Sequence, residues 1–304
     1  MSIFINRFVV VGIGLIGGSL ATALKQAGAC REVIGIALDG QTCSKAIALG
    51  VVDRAYTSLA DIASELCAGD VVLISVPTLS VPAVLQQVKD LVHRDVTVTD
   101  AASVKGSVLA AAKVVWPQAP ANLVLGHPIA GSERSGVTAA NPNLYANHRV
   151  ILTPLEQTAD KHLQLVSSMW RAAGAEVLMM SVAEHDDVLA ATSHLPHAIA
   201  YSLVDTLAHD AENENIFRYA AGGFRDFTRI ASSDPRMWHD IMLANKTSVL
   251  KSLDLFSDNL ARLREAIESS DGEALLGVFR RAKEARDEFT QVMVASKSAS
   301  DAKL

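Results

Sequence analysis

The sequence predicts an α/β fold, in which a doubly wound parallel sheet forms the N-terminal part and an all-α domain follows. Three observations support this fold class. Short β-branched runs alternate with helical stretches up to about residue 180, which is typical of strand–helix–strand units. A glycine-rich turn joins the first strand to the first helix. Beyond Ala183 the β-branched runs stop, and apolar residues recur at helical spacing.

The elements of the N-terminal part can be placed in order. The predicted strands cover 7–12, 32–38, 71–77, 96–100, 123–127, 149–154 and 175–181. The predicted helices cover 20–26, 45–49, 82–92, 104–113 and 162–173. This alternation implies parallel strands that are joined by right-handed crossovers.

The C-terminal part is predicted to be helical throughout. Apolar residues form one stripe along the stretch VLKSLDLFSDNLARLREAI, at Leu253, Phe256, Leu260 and Leu263. A stripe of this kind covers a core or a dimer interface. We therefore expect two domains, a dinucleotide-binding domain at 1–181 and a helical substrate-binding and dimerisation domain at 182–304, in a homodimer.

Composition and charge exclude several classes of protein. The chain has 304 residues, of which 50% are hydrophobic and 20% charged, so large buried cores are expected. A net charge of −6, from 27 basic and 33 acidic residues, argues against nucleic acid or an anionic membrane as the main partner. No uninterrupted apolar run is long enough for a membrane span. Cys30, Cys43 and Cys67 lie far apart without CxxC spacing, which favours reduced thiols in a cytoplasmic protein.

The turn after the first strand has the spacing of a dinucleotide-binding motif. The candidate cofactor-binding residues there are Gly12, Gly14, Leu15, Ile16 and Gly17. Glycines allow the backbone to approach a pyrophosphate, which the N–H groups at the start of the helix would bind, as in a Rossmann-type sheet. Asp39 is the candidate for the ribose hydroxyls, although Ala37 stands where the acidic residue is usual. The expected cofactor is NAD, with NADP as the alternative.

His127 stands out within the stretch LVLGHPIAGSERSG, where an apolar run stops at Gly126 and the predicted strand ends at His127. A Rossmann-type domain joined to a helical domain suggests a dehydrogenase, with the substrate in the cleft between them. Such an enzyme needs a base for the hydroxyl proton, and a neutral histidine suits this task near pH 7. Open α/β sheets bind ligands beyond the carboxyl ends of their strands. The position of His127 therefore favours a catalytic base over a packing role.

Four arginines are concentrated in the helical half, at Arg218, Arg225, Arg229 and Arg236. Arg225 and Arg229, four residues apart, would repel each other on one helical face unless an anion or Asp226 compensates. A carboxylate substrate would supply that compensation by charge-assisted pairing. The alternative is a solvated basic face with ordinary salt bridges.

Five motifs follow one another along the chain: GIGLIGGSLA, TDAASVKG, GHPIAGSE, TSHLPHA and GGFRDFTRIASSDPRMW. Together they resemble the prephenate dehydrogenase family, including the cyclohexadienyl dehydrogenases that also accept arogenate, and the resemblance covers essentially the whole chain. It implies an NAD(P)-dependent oxidative decarboxylation in tyrosine biosynthesis. The substrate would be a small dicarboxylate, either prephenate, giving 4-hydroxyphenylpyruvate, or arogenate, giving tyrosine.

The resemblance also implies roles for individual residues. His127 would accept a hydrogen bond or proton from the ring hydroxyl, and Ser103 would orient that hydroxyl and the nicotinamide. Arg229 would bind the ring carboxylate, and Glu133 is similar to a residue that pairs with this arginine to gate the cleft. The further substrate-binding candidates are His194, His197, Gly222, Asp226 and Trp238.

Other interpretations remain open at this point. His194 and His197 are three residues apart, but HxxH is not a zinc signature and no third ligand follows at a usual spacing, so no metal is expected. A β-hydroxyacid dehydrogenase of similar build would use a lysine such as Lys246, but would leave the GHPIAGSE motif unexplained. A nucleotide-binding scaffold that dimerises without catalysis is the third hypothesis.

Overall fold

A computed structural model describes residues 4–132, 134–209 and 216–301 of the chain. Eight strands in this described part form one sheet. They are β1 (Ile5–Val11), β2 (Cys30–Ile36), β3 (Arg54–Tyr56), β4 (Val71–Ile74), β5 (Thr97–Asp100), β6 (Leu123–Ile129), β7 (Arg149–Thr153) and β8 (Glu176–Met179). Their order across the sheet is β3-β2-β1-β4-β5-β6-β7-β8.

The sheet is parallel except where β7 runs antiparallel to β6. The predicted Rossmann-type fold class is therefore confirmed, with two differences in detail. The short strand β3 was not predicted, because its three residues give no periodic pattern. The strand that was predicted to end at His127 continues two residues further, because β7 pairs with β6 as far as Ile129.

The helices of the N-terminal part cover both faces of the sheet. They are α1 (Leu15–Gln26), α2 (Gly40–Ala48), α3 (Val81–Leu91), α4 (Lys105–Val115) and α5 (Asp160–Ala172). One core cluster joins α1 and α5 to one face, through residues such as Leu20, Leu24 and Trp170. The other joins α3 and α4 to the opposite face, through residues such as Leu85 and Val108. This two-sided covering explains why most strand residues are apolar without alternation.

The described residues after β8 form helices. They are α6 (Val182–Leu189), α7 (Leu195–Ala208), α8 (Gly222–Thr228), α9 (Pro235–Ala244), α10 (Lys246–Glu268) and α11 (Gly272–Asp301). One turn of π-helix, Ala190–His194, connects α6 to α7. Two compact units can be distinguished by their internal contacts, Met1–Val249 and Leu250–Leu304. None of the helices in the described ranges combines the length and the apolar character that a membrane crossing requires.

Candidate active site

The glycine turn between β1 and α1 packs against Ser75, the residue that follows β4. Gly12 has a φ of +97°, and a Cβ there would lie 2.7 Å from the carbonyl oxygen of Ser75. A Cβ on Gly17 would lie 2.3 Å from the Ser75 hydroxyl. Only glycine fits at these two positions, since both face packed protein.

Gly14 differs from its two neighbouring glycines, because a Cβ built on it meets no atom within 4 Å. It precedes the first turn of α1, where no side chain caps the helix and Leu15 and Ile16 are only partly buried. The first N–H groups of a helix have no partner within the helix and attract anions. β1 and β4 also flank the point where the strand order reverses, which is where open α/β sheets bind ligands. The turn therefore fits the pyrophosphate of a dinucleotide.

Asp39 lies three residues beyond the end of β2 and caps α2. Its carboxylate accepts hydrogen bonds from the backbone N–H and the hydroxyl of Thr42, at 2.7 and 2.8 Å. These bonds hold the pKa of the exposed Asp39 carboxyl below its usual value. Ala37 is buried directly after β2, and the next residue, Leu38, is fully exposed. Asp39 is thus the first acidic residue after the end of β2, and its role toward a ribose stays a prediction.

His127 lies in the part of β6 that pairs with β7, opposite Ile151. Its parallel neighbour β5 pairs with β6 only at Leu123 and Val124, so His127 projects past the end of the parallel strands. Nδ1 of His127 lies 2.9 Å from Nε2 of His185, on α6. This contact leaves Nε2 of His127 as the nitrogen that can meet a ligand.

The pKa of His127 lies well below its usual value, mainly because the ring is desolvated and also because His185, Lys105 and His194 are close. The imidazole is therefore neutral at pH 7. A neutral imidazole is the form that accepts a proton.

A buried network of charges surrounds the end of β6. Nζ of Lys105 donates to the carboxylate of Asp100 and, at 2.5 Å, to the carbonyl of Gly126. Both of these charged side chains are fully buried. Asp100 also accepts from the N–H groups of Ala102 and Gly126, at 2.9 and 3.2 Å. Because a buried ion pair requires such additional partners, the network fixes the backbone on which His127 stands.

Ser103 lies in the loop between β5 and α4, and it is partly exposed. The next residue, Val104, is fully buried and packs against Trp238 and Ile241 of α9. The loop that carries Ser103 is therefore in contact with the helix that carries Trp238.

Trp238 joins the two predicted histidines. Its ring stacks on His197, with centroids 3.6 Å apart, and contacts His194 edge-on at 6.1 Å. Nδ1 of His194 accepts from the amide of Asn245 at 3.2 Å, and Nδ1 of His197 donates to the carbonyl of Ser193 at 2.8 Å. The indole N–H of Trp238 is buried without a partner among the described residues. This cluster therefore offers an unused donor as well as the second nitrogen of each imidazole.

Both of these histidines are neutral at pH 7. Burial lowers the pKa of His194 to about 4, although Asp186 acts in the opposite direction. Burial also lowers the pKa of His197, and the nearby Arg229 guanidinium lowers it further. Because the Arg229 charge lowers the pKa of His197, the two side chains lie near each other. His197 in turn contacts Trp238, Trp238 contacts His194, and His194 is close enough to His127 to lower its pKa.

The remaining candidates are arranged differently. Arg229 follows α8 and is exposed at the start of a 3₁₀ turn, Arg229–Ser232. Asp226 is exposed and pairs with Arg225, with Nε and Oδ1 3.4 Å apart. Gly222 begins α8 on the surface. Glu133 lies outside the described residues. The structure thus brings together His127, His194, His197, Trp238 and the loop of Ser103, with Arg229 close to His197.

Comparison with known protein families identifies the family of the chain. The nucleotide-binding domain profile of prephenate dehydrogenase matches residues 20–179, and its dimerization domain profile matches residues 181–281. The chain belongs to the prephenate dehydrogenase family. A curated cyclohexadienyl dehydrogenase from Zymomonas mobilis is 37% identical over 291 residues, covering 94% of this chain and 96% of the relative.

Two solved structures, of a prephenate dehydrogenase and of an arogenate dehydrogenase, are also similar. The prephenate dehydrogenase of A. aeolicus, in complex with hydroxyphenyl propionate and NAD+, is 39% identical. It superposes with a TM-score of 0.87 and covers 95% of this chain and 100% of that one. The arogenate dehydrogenase of Synechocystis is 28% identical, with a TM-score of 0.78, and covers 93% of this chain and 99% of that one.

Several buried residues around His127 were not predicted from the sequence to be site residues. Lys105 and Asp100 lie within the TDAASVKG motif, where only Ser103 was chosen. His185 and Asp186 lie in the segment AEHDDV, which is typical of an exposed acidic helix. The sequence alone gives no signal for His185 and Asp186, because their contacts with His127 and with the start of α4 are long-range.

Proposed function

We propose that this chain catalyses the NAD-dependent oxidative decarboxylation of prephenate or arogenate. The observation that carries this proposal is His127, a neutral imidazole that projects beyond the parallel strands with Nε2 available as a proton acceptor. Family membership supplies the substrate class, a cyclohexadienyl ring with carboxylates. The dinucleotide site is the glycine turn, where Gly14 leaves open space before α1.

Substrate binding is assigned to the groups around Trp238. Arg229 binds the ring carboxylate through charge-assisted hydrogen bonds. Burial keeps the pKa of the nearby His197 below its ordinary value, and the Arg229 cation lowers it further. The indole N–H of Trp238 supplies a further donor to the substrate. Ser103 orients the ring hydroxyl toward His127. Glu133, Gly222 and Asp226 remain predicted contributors to the same pocket.

The reaction moves the hydroxyl proton of the substrate to His127 and back. Bound NAD supplies the acceptor for the hydride that leaves the hydroxyl-bearing ring carbon. His127 Nε2 takes the hydroxyl proton as that carbon becomes a carbonyl. The carboxylate then departs as CO2, its electron pair enters the ring, and the aromatic phenolate oxygen takes the proton back from His127. Since aromatisation drives the reaction, the protein mainly orients the reacting groups.

The cellular and assembly state follow from the same proposal. The chain acts as a homodimer, because the domain profile that matches residues 181–281 is a dimerization domain. Its place of action is the cytoplasm, in keeping with three cysteines that are free thiols. NAD is preferred over NADP, since Asp39 is the first acidic residue after the end of β2 and would repel a 2′-phosphate.

The test is a kinetic assay of the purified full-length chain with prephenate or arogenate, each with NAD or NADP, following reduced nicotinamide. Turnover of either acid with NAD supports the proposal. Turnover of a simple hydroxyacid instead, or NAD binding without any turnover, contradicts it.

Two variants separate the assigned roles. We expect His127→Asn to lower kcat by about 100-fold or more with little change in KM, because a general base acts on the chemical step. Arg229→Ala should mainly raise KM, because it removes a carboxylate contact. His93→Gln, at an exposed position after α3, is the matched control. Equal and mild effects of the first two variants would contradict these roles.

A further inference from the structure

A chain of hydrogen bonds leads from His127 to a buried carboxylate. Nδ1 of His127 lies 2.9 Å from Nε2 of His185, and Nδ1 of His185 lies 2.8 Å from Oδ1 of Asp186. His185 is fully buried and Asp186 is 8% exposed. This series of hydrogen bonds therefore lies inside the protein, on the side of His127 opposite to the nitrogen that can meet a ligand.

The start of α4 holds the carboxylate at the end of this chain. The backbone N–H groups of Lys105 and Gly106 donate to the two oxygens of Asp186, at 2.9 and 2.7 Å. A Cβ on Gly106 would lie only 2.5 Å from Oδ2 of Asp186, so this close approach depends on the glycine. A helix N-terminus favours an anion, and Asp186 is therefore a fixed acceptor.

This fixed acceptor sets the direction of every hydrogen bond in the chain. Because a carboxylate only accepts, Nδ1 of His185 carries the hydrogen that bonds to Asp186. When His185 carries a single proton, on Nδ1, its Nε2 accepts the Nδ1–H of His127. His127 is left with its lone pair on Nε2, which is the form a base needs.

We propose that His185 and Asp186 are positioning residues that hold His127 in its base-competent tautomer and accommodate the proton it takes up during turnover. This inference rests on the proposed function. When Nε2 of His127 takes the hydroxyl proton, the Nδ1 proton of His127 passes to Nε2 of His185. When the phenolate forms, both protons return by the same route, so no net proton is released.

The surroundings of His127 explain why this transfer is favourable. The groups that face His127 are His185, Lys105 and His194, and none of them stabilises a positive charge on its ring. A proton that reaches His185 lies instead beside the carboxylate of Asp186. The transfer thus moves a buried positive charge from neighbours that disfavour it to an anion that stabilises it.

The principal test is Asp186→Asn, in the full-length chain with prephenate or arogenate and saturating NAD. The amide lacks the charge and can donate to Nδ1 of His185, which would reverse both hydrogen bonds and leave Nε2 of His127 protonated. We expect kcat to fall about 100-fold or more while KM changes by less than about threefold. The control is Asp187→Asn, at the exposed neighbouring position, with kcat within about twofold of wild type.

A second variant, His185→Gln, distinguishes the two proposed roles, which are holding the tautomer of His127 and taking up its proton during turnover. Its amide oxygen can still accept from Nδ1 of His127, but the amide cannot take up a proton. We expect the tautomer of His127 to be kept while kcat still falls. This variant also decides the case if Asp186→Asn does not fold.

The pH dependence of kcat distinguishes this role from a merely structural one. In the plot of kcat against pH, activity falls on the acid side as the base becomes protonated. Loss of the Asp186 charge should move this fall to lower pH, because His127 and His185 lose an anion that favours their protonated form. A variant that only loosened the site would expose His127 and move the fall to higher pH, toward the ordinary histidine pKa. An upward shift in Asp186→Asn, or a kcat within about threefold of wild type, would overturn the proposal.

Nitrogen-15 NMR of the histidine rings in the ligand-free protein gives a readout independent of activity. The wild type should show His127 protonated at Nδ1, and Asp186→Asn should show it protonated at Nε2. The opposite tautomer in the wild type would overturn the proposed positioning. Wild-type turnover judges the proposed function separately, so the two failures can be told apart.

Discussion

At the scale of single residues, the buried histidines couple protonation to stability. Burial lowers the pKa of His127, His194 and His197 in the folded chain below the ordinary value. Between the folded and unfolded pKa values the unfolded chain binds more protons, so the free energy of unfolding falls as the pH falls. This stability is fully present above about pH 6.5 and is lost progressively toward pH 4.

For His194 alone, with a folded pKa of about 4, the expected loss between pH 7.5 and pH 5 is about 2 kcal/mol. The variant His194→Asn should be less stable at pH 7.5, but it should lose correspondingly less stability on acidification. Denaturant unfolding at both pH values measures this difference. Replacement of the exposed His93 by Gln is the control, and an identical acid loss in wild type and His194→Asn would contradict the assignment.

The candidate site was only partly predictable at this scale. His127 could be selected because it ends a buried strand at the ligand-binding edge of the sheet, and Trp238 and His197 because their motifs resemble those of the family. His185 and Asp186 could not, because their function depends on contacts with His127 and with the start of α4, 58 and 81 residues earlier in the chain. Adjacent acidic and histidine residues on a short helix are otherwise typical of a solvated surface.

At the scale of elements, the glycines of the turn after β1 have two different roles, because two of them pack against protein and one faces the proposed cofactor site. Gly12 and Gly17 face Ser75, whereas Gly14 faces open space and has a φ of −100°, which any residue adopts. We expect Gly14→Ala to keep wild-type stability but to weaken NAD binding by about tenfold or more, because its methyl group occupies the space assigned to the pyrophosphate. Calorimetric titration with NAD and denaturant unfolding measure the two effects.

Gly12→Ala is the matched comparison for that variant. A side chain at a φ of +97° and 2.7 Å from the Ser75 carbonyl is strained, so it should lower the free energy of unfolding by about 1–3 kcal/mol. If Gly14→Ala instead lost stability and kept NAD affinity, the assignment of the open face to the cofactor would be wrong.

The elements themselves were largely predictable, because buried parallel strands and amphipathic helices have distinct periods. The end of β6 was not. Pro128 directly follows His127, and the pattern gave no reason to extend a strand through it. Pairing with β7 extends the strand to Ile129, and this pairing is a long-range property that local sequence does not report.

At the scale of the whole molecule, the family prediction is confirmed, while the predicted boundary at 181/182 stays a prediction. The two family profiles meet near residue 180, whereas internal contacts divide the chain at Val249 and Leu250. The second unit by itself presents many large apolar side chains to solvent. Leu260 is 52% exposed, Ile267 60% and Phe279 56%. Surfaces of this kind usually mark an interface between chains.

The proposed homodimer can therefore be tested on α10. Leu260 lies on the apolar stripe, and Arg262 lies about 200° further around the helix, on the opposite face. We expect the wild type to be a dimer by light scattering coupled to size exclusion. Leu260→Glu should be folded but largely monomeric, because its carboxylate would be desolvated at the interface, whereas Arg262→Glu should remain a dimer. A monomeric wild type, or a dimer that tolerates Leu260→Glu as well as Arg262→Glu, would show that this stripe is not the interface.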